Sequence, residues 1–585
     1  MSKSKLINKK TGYILVCVLS IAYCFLPLMK EIIGKLVSDN MGCLRLVMDL
    51  ANCPGEFDSV TSYYGQFYYI IFFPVFKMTS NPYVIYLAII YGNALFRALT
   101  GILIYKIQTD YLSIDYLTAC LLTVIALGCF PGNSITRFNN ETPLFILLYA
   151  VLFFALWANN ISGKAKYILH VLILLLCGYG LLIHTRWILF FFCIYFVLIL
   201  NDLIYKKNMV ALKLSPASLI VLFVGRKIVK IITNYLHGSG TVRNSSLEIS
   251  KYAQSSSVTL DGALMIVFSN IYRLLILTYG IPLIAFAVFG CIAYLYFRSG
   301  REKFTETISS NQFIVFMSSI LAIIGSVGGL VFYYGSAISK GLLAEKANKN
   351  FSGIGYDRYY LLYAGALIIA VYSILMGRKI SKRLMFSCIG IFIALYKIVT
   401  YFYYEAAGNY NNLYSTGSFT KTHELTFFVT LGCLIVFMLL LVYGKEKYFF
   451  GLIVAVSFLL LILNVKSFPT KLTFEKEYNS SYEFFEELEE NNISLNNIYT
   501  NLGRIQFVLL GRRVYMLDDE KIDEVDIAVV NNAKEDLFVS NGFYKVAIDN
   551  NELLFVRDPE LYKTLAKFNN EEVSLDTDTE ESFED

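Results

Sequence analysis

Phe427-Phe-Val-Thr-Leu-Gly-Cys-Leu-Ile-Val-Phe-Met-Leu-Leu-Leu-Val-Tyr443 contains no charged residue and no polar–apolar alternation. In lipid, backbone amides and carbonyls must bond within one segment, as in a helix, or around a closed barrel. Barrel strands alternate with a period of two, and this stretch does not. It reads as a membrane-spanning helix. Working outward from it, apolar stretches near the ~20 residues that cross a bilayer recur about thirteen times. They begin near residues 12, 83, 113, 142, 167, 187, 214, 279, 312, 359, 384, 425 and 448. Composition agrees: the chain is 56% hydrophobic and 16% charged, with a mean hydropathy of +0.56, where a soluble domain carries roughly 25% charged residues.

Loop charges set the orientation. Lys3, Lys5, Lys9 and Lys10 precede the first span. Further basic groups follow every second span: Lys106, Lys164 with Lys166, Lys206 with Lys207, Arg298 with Arg301 and Lys303, Arg378 through Arg383, and Lys445 with Lys447. The positive-inside rule makes these loops cytoplasmic, so an odd number of spans sends the C-terminal region outside. Arg226, Lys227 and Lys230 interrupt the span near 214, yet dropping it would break the alternation. No small-residue cleavage site follows Tyr23 to Pro27, so the first segment reads as a retained anchor.

The outer loops are long and polar. The first runs from about Glu31 to Gln66, and Tyr63, Tyr64, Phe67, Tyr68, Tyr69, Phe72 and Phe73 at its end suit the headgroup level. The apolar stretch 67–78 is too short to span and is expected in the interface or entering partway. Other outer segments are 131–141, the His184-Thr-Arg-Trp187 corner, 237–277, 335–356 and 402–424. Nine of the eleven cysteines sit in or beside apolar spans, as small hydrophobes do. Cys43 and Cys53 share the first outer loop, where a disulfide and two thiols are both open readings. No Cys/His spacing for a metal occurs.

Residues 1–466 therefore form a transmembrane domain, and after Lys466 the composition turns charged. Residues 467–570 are long enough for one small extracytoplasmic α/β domain. A Glu-rich helix is expected over 482–491, with short strands over 497–500, 507–510, 513–516, 526–530, 544–548 and 553–556. The acidic tail, 571–585, has the composition of a disordered segment.

Several short motifs, all in outer loops, fall in a known order. Ser38-Asp-Asn-Met41 opens the first loop, and Tyr63-Tyr-Gly-Gln-Phe67 leads through Pro74 to the second span. Arg137-Phe-Asn-Asn-Glu-Thr-Pro143 lies in the second outer loop, and Tyr356-Asp-Arg-Tyr359 opens a late helix. This arrangement resembles the GT-C superfamily of integral-membrane glycosyltransferases, and within it the protein-mannosyltransferase and aminoarabinose-transferase branch. The resemblance covers roughly the first 465 residues in topology and these motifs in sequence.

It implies a polyprenyl-phosphate-sugar donor and transfer at the outer face of the membrane. Asp39 would be the general base on the acceptor hydroxyl. Glu141 would orient the acceptor or tune Asp39. Arg358, with Arg186 and Lys340, would pair with the donor phosphate, which guanidinium matches bidentately. Tyr63, Tyr64, Phe67 and Tyr359 would touch the lipid or the sugar. Asn40 stands where the family often carries a second acid, so this motif does not support a divalent metal.

Simpler roles stand beside these. Asp39 suits a helix N-cap. Arg358 suits an interfacial anchor, and Arg186 beside Trp187 is a common interfacial pair. A surface-polysaccharide polymerase would share the many spans, the outer arginines and a lipid-linked substrate. A transporter would carry polar groups along a central path, and midplane charges are scarce in these spans. No phosphate-binding loop, hydrolase elbow or nucleic-acid module is present. The expected setting is a bacterial cytoplasmic membrane, the N-terminus inside, and the acceptor an envelope glycan, lipid or protein.

Overall fold

The computed structural model describes residues 7–29, 38–52, 66–129, 141–237, 258–343, 358–402, 423–467 and 480–568, apart from short stretches within 377–380 and 494–551. In chain order the helices begin with α1 (Lys9–Phe25), α2 (Ser38–Leu50), α3 (Gln66–Tyr69), α4 (Phe73–Met78), α5 (Pro82–Lys106) and α6 (Tyr116–Cys129). Next come α7 (Glu141–Asn160), α8 (Lys164–Ile183), α9 (Trp187–Ile204), α10 (Val210–Lys213), α11 (Ser215–His237) and α12 (Leu260–Leu277). Then follow α13 (Ile281–Thr307), α14 (Ser310–Leu343), α15 (Arg358–Leu375), α16 (Lys382–Phe402), α17 (His423–Tyr443) and α18 (Glu446–Ser467). The chain divides into two compact units: Met1–Ile32 with Tyr63–Tyr68 and Ile90–Thr470, and Ile33–Ser62 with Tyr69–Ile89 and Lys471–Asp585.

The first unit is a helix bundle. A helix lies at or within a few residues of every predicted span start. Among the described residues, nine helices are long and apolar enough to cross a membrane. The helix α14 packs against α7, α9, α12 and α15 and so runs through the middle. At 1.5 Å per residue it is roughly 50 Å long, well beyond the ~30 Å of hydrocarbon.

The segment 237–277 was expected to be an outer loop, but it contains α12, one of those nine helices. The first turn of α12 meets the far end of α14, where the Thr259 amide donates to Ser339 Oγ at 2.9 Å. The break after it lies halfway along its neighbours: Gly280, at φ +77°, packs on Leu434, and the Tyr279 hydroxyl bonds Ser457. Then α13 carries the chain on to the other end, where Arg301 donates to the carbonyls of Ile204 and Leu203. Thus α12 and α13 together make one broken passage from one end of the bundle to the other. The apolar run was obscured in sequence by Asn270 and Arg273, both buried inside the bundle.

Hydrogen bonds collect the basic loops at one end. Lys9 pairs with Asp110 at 3.3 Å, and Lys447 with Asp115 at 2.6 Å. Arg378 donates to the carbonyl of Thr307. Lys207 donates to Asn159 Oδ1 at 2.6 Å, and Ser310 bonds both Asn159 and Asn201. Beside them Lys166 and Asp202, both buried, pair at 3.6 Å. Burial pushes the Lys207 ammonium down to about 8, helped by repulsion from Lys166 and opposed by Asp202.

In the second unit, α2 packs against α4, whose Pro74 occupies the first turn, where a missing N–H costs nothing. Its C-terminal part holds α19 (Ser480–Glu490) and a five-stranded sheet, β1 (Ile498–Thr500), β2 (Val514–Met516), β3 (Ile527–Asn531), β4 (Tyr544–Ala547) and β5 (Glu552–Val556). The order is β2-β1-β3-β5-β4, with β1 parallel to β2 and β3, and β5 antiparallel to β3 and β4. The strand predicted over 507–510 is not one: Leu509 N–H donates to Ile505 O, a helical turn. Parallel β1 and β2 require a crossover, and this turn lies in it. Phe538, Phe543 and Phe555 fill the core on one face of the sheet.

Candidate functional site

At the end of the bundle opposite the basic loops, three distant segments converge. Glu141 opens α7, the 184–186 corner joins α8 to α9, and Tyr359 stands in the first turn of α15. Arg186 Nη2 donates to Glu141 Oε1 at 2.8 Å, with the side chains only 13% and 7% exposed. The Arg186 guanidinium also lies over the Tyr359 ring, 4.7 Å from its centroid. Sheltered from water, both the charge-assisted bond and the cation–π contact gain strength.

The corner is shaped by local packing. His184 Nδ1 accepts the backbone N–H of Arg186 at 3.1 Å, which turns the chain from α8 into α9. Trp187 is fully buried and lies over Gly180, where any Cβ would collide with its indole. Trp187 then packs on Phe190, which stacks on Tyr363 of α15 with centroids 5.5 Å apart. Tyr363 is one turn after Tyr359, so this aromatic chain sets the distance between Arg186 and its ring.

Three of the predicted site residues, Glu141, Arg186 and Tyr359, thus form one cluster. Phe67 is tied to the same unit, its carbonyl accepting from Tyr179 of α8 at 3.4 Å. Asp39 stands in α2, Lys340 in α14 and Arg358 at the start of α15, but their side chains lie outside the described residues. Tyr63, Tyr64 and Cys53 also lie outside them. Among the described residues, no three His, Cys, Asp or Glu side chains gather closely enough to hold a metal ion.

Sequence reasoning passed over two buried arginines. Arg97 of α5, 1% exposed, donates to the carbonyl of Leu127 and lies 5.7 Å from the Phe145 ring. One turn earlier, Asn93 accepts the Tyr68 hydroxyl at 2.7 Å. Arg273 of α12 is 4% exposed. The signal was present: a cation inside an apolar span is a functional candidate by default.

No protein-family model matches the sequence, and no curated protein sequence matches it. Among solved structures, the fold is similar to that of ArnT from Cupriavidus metallidurans bound to undecaprenyl phosphate, at TM-score 0.52 and 14% identity, over 95% of this chain and 99% of that one. The apo form of ArnT aligns over the same shares at TM-score 0.48 and 14% identity. An oligosaccharyltransferase from Archaeoglobus fulgidus aligns over 91% of this chain and 71% of its own, at 10% identity and TM-score 0.42. The likeness to ArnT shows a shared fold.

Proposed function

We propose that the chain transfers a sugar from a polyprenyl-phosphate donor to a cell-envelope glycan, lipid or protein at the outer face of the membrane. One observation supports this above others. Glu141, Arg186 and Tyr359 converge at the end of the bundle away from the basic loops, in a fold similar to that of ArnT bound to undecaprenyl phosphate. A guanidinium braced by one carboxylate and one ring keeps further N–H donors for a phosphate oxygen.

In this reading Asp39 takes the proton from the acceptor hydroxyl as that oxygen attacks the anomeric carbon. The bond from the anomeric carbon to the phosphate oxygen breaks, and polyprenyl phosphate leaves with the electron pair. Attack from the opposite face inverts the anomeric centre. Arg358, Arg186 and Lys340 meet the charge that builds on the departing phosphate. Glu141 acts through Arg186, holding it in place, and Tyr63, Tyr64, Phe67 and Tyr359 flank the lipid or the sugar.

The test compares envelope glycans from a deletion strain that carries either the wild-type chain or Asp39→Asn at matched membrane levels. The expected result is loss of one sugar or branch on deletion, restored by wild type alone. Equal restoration by both would remove Asp39 as the base. Shortened polymers with no sugar missing would replace transfer by polymerisation.

A further inference from the structure

The basic end of the bundle holds a cavity of about 430 Å³ between the end of α9 and a break in α13. Its walls include Lys206, Ser299, Gly300, Arg301 and Glu302. Two residues in left-handed backbone border it, Lys206 at φ +51° and Gly300 at φ +79°. A non-glycine residue there is uncommon, and strain of this kind gathers at functional sites. Arg301 is anchored, with Nε on the Ile204 carbonyl at 2.6 Å and Nη2 on that of Leu203 at 3.0 Å. Those bonds use two of its five N–H donors and fix the direction of the rest.

Apolar surface continues from the cavity along the same helices. Phe297, Tyr294 and Leu203 are exposed, Phe297 to 85%. On helices long and apolar enough to cross a membrane, exposed side chains of this kind suit contact with lipid. A cationic recess beside an exposed apolar flank has the two chemistries of a phospholipid. Lys206, Arg301 and Glu302 are the charged residues of its lining, which leaves one net positive charge. That matches the single negative charge of a phosphodiester.

We propose that this cavity binds the headgroup of an anionic phospholipid in the leaflet at the basic end. Lys206 and Arg301 take the phosphate, Ser299 bonds a headgroup oxygen, and the acyl chains lie along Leu203 and Phe297. The site lies at the opposite end of the bundle from Glu141 and Arg186 and does not depend on the transfer reaction. Basic pockets between membrane helices recognise lipid headgroups in this way.

The test is native mass spectrometry of the full chain in detergent, titrated with a short-chain phosphatidylglycerol. Diacylglycerol with the same chains serves as the phosphate-free probe, and inorganic phosphate as competitor. Lys206→Asn keeps a residue that tolerates left-handed backbone and is expected to weaken phosphatidylglycerol binding roughly fivefold. Lys303→Asn removes the same charge from the neighbouring segment outside the cavity wall, and should leave binding at the wild-type level. Equal losses in the two variants would mean a diffuse basic rim and overturn the proposal. So would diacylglycerol retained as well as phosphatidylglycerol, or displacement of the lipid by inorganic phosphate, which would make this a site for a soluble anion.

Discussion

Arg186 is held by three forces of different range. Its backbone N–H bonds His184, its guanidinium bonds Glu141, and its π face covers Tyr359. Replacing Glu141 with Gln keeps an acceptor but removes its charge, a change from a charge-assisted bond to a neutral one. On the transferase reading, this raises KM for the lipid-linked donor roughly fivefold and affects kcat less. Steady-state kinetics at saturating acceptor would show it, and an unchanged KM would separate Glu141 from the donor site. At the other end, Lys207 titrates at about 8 when folded, against 10.5 in the unfolded chain. Between those values the unfolded chain binds the extra proton, so stability should rise as pH climbs from about 8 towards 10. Melting temperature against pH for wild type and Lys207→Gln tests this, since the variant's curve should lack that rise. Parallel curves would assign the shift elsewhere.

Among the elements, the broken passage of α12 and α13 depends on Gly280. Its φ of +77° strains any side chain there, and the Leu434 side chain, 3.2 Å from where a Cβ would stand, would have to give way. Gly280→Ala should therefore cost about 1–2 kcal/mol in backbone strain alone and lower the melting temperature of the detergent-solubilised chain. A wild-type melting curve would show that the turn relaxes freely. This helix pair also shows why one element escaped the sequence reading. Buried Asn270 and Arg273 look like loop chemistry when only the local window is read. Their place inside the bundle is set by α14, a helix far along the chain. The strand expected over 507–510 failed for a related reason, because β-forming side chains there are overruled by the crossover between β1 and β2.

For the whole molecule, the informative grouping is that residues 33–62 and 69–89 share a compact unit with 471–585. The segment that carries Asp39 and the C-terminal domain therefore belong to one compact unit. On the transferase reading, a chain ending at residue 470 should still insert in the membrane but lose transfer, because the unit that contains Asp39 is incomplete. Envelope glycan complementation at matched membrane levels measures this. Full activity in the shortened chain would make the C-terminal domain dispensable.

Helix positions, the gathering of the basic loops at one end of the bundle and the helical character of the apolar segments could all be read from the chain. Hydrophobic length and charge placement are local properties, and lipid allows few ways to satisfy a backbone. The motifs Arg137 to Pro143 and Tyr356 to Tyr359 also named Glu141 and Tyr359 in advance. Only the tertiary structure decided that Arg186 pairs with one and stacks on the other, that α12 and α13 share one passage, and that a cationic recess opens between α9 and α13. Each of these depends on which faces of distant helices meet. That is fixed by side-chain packing and close approaches such as Trp187 over Gly180, which no local window of sequence contains.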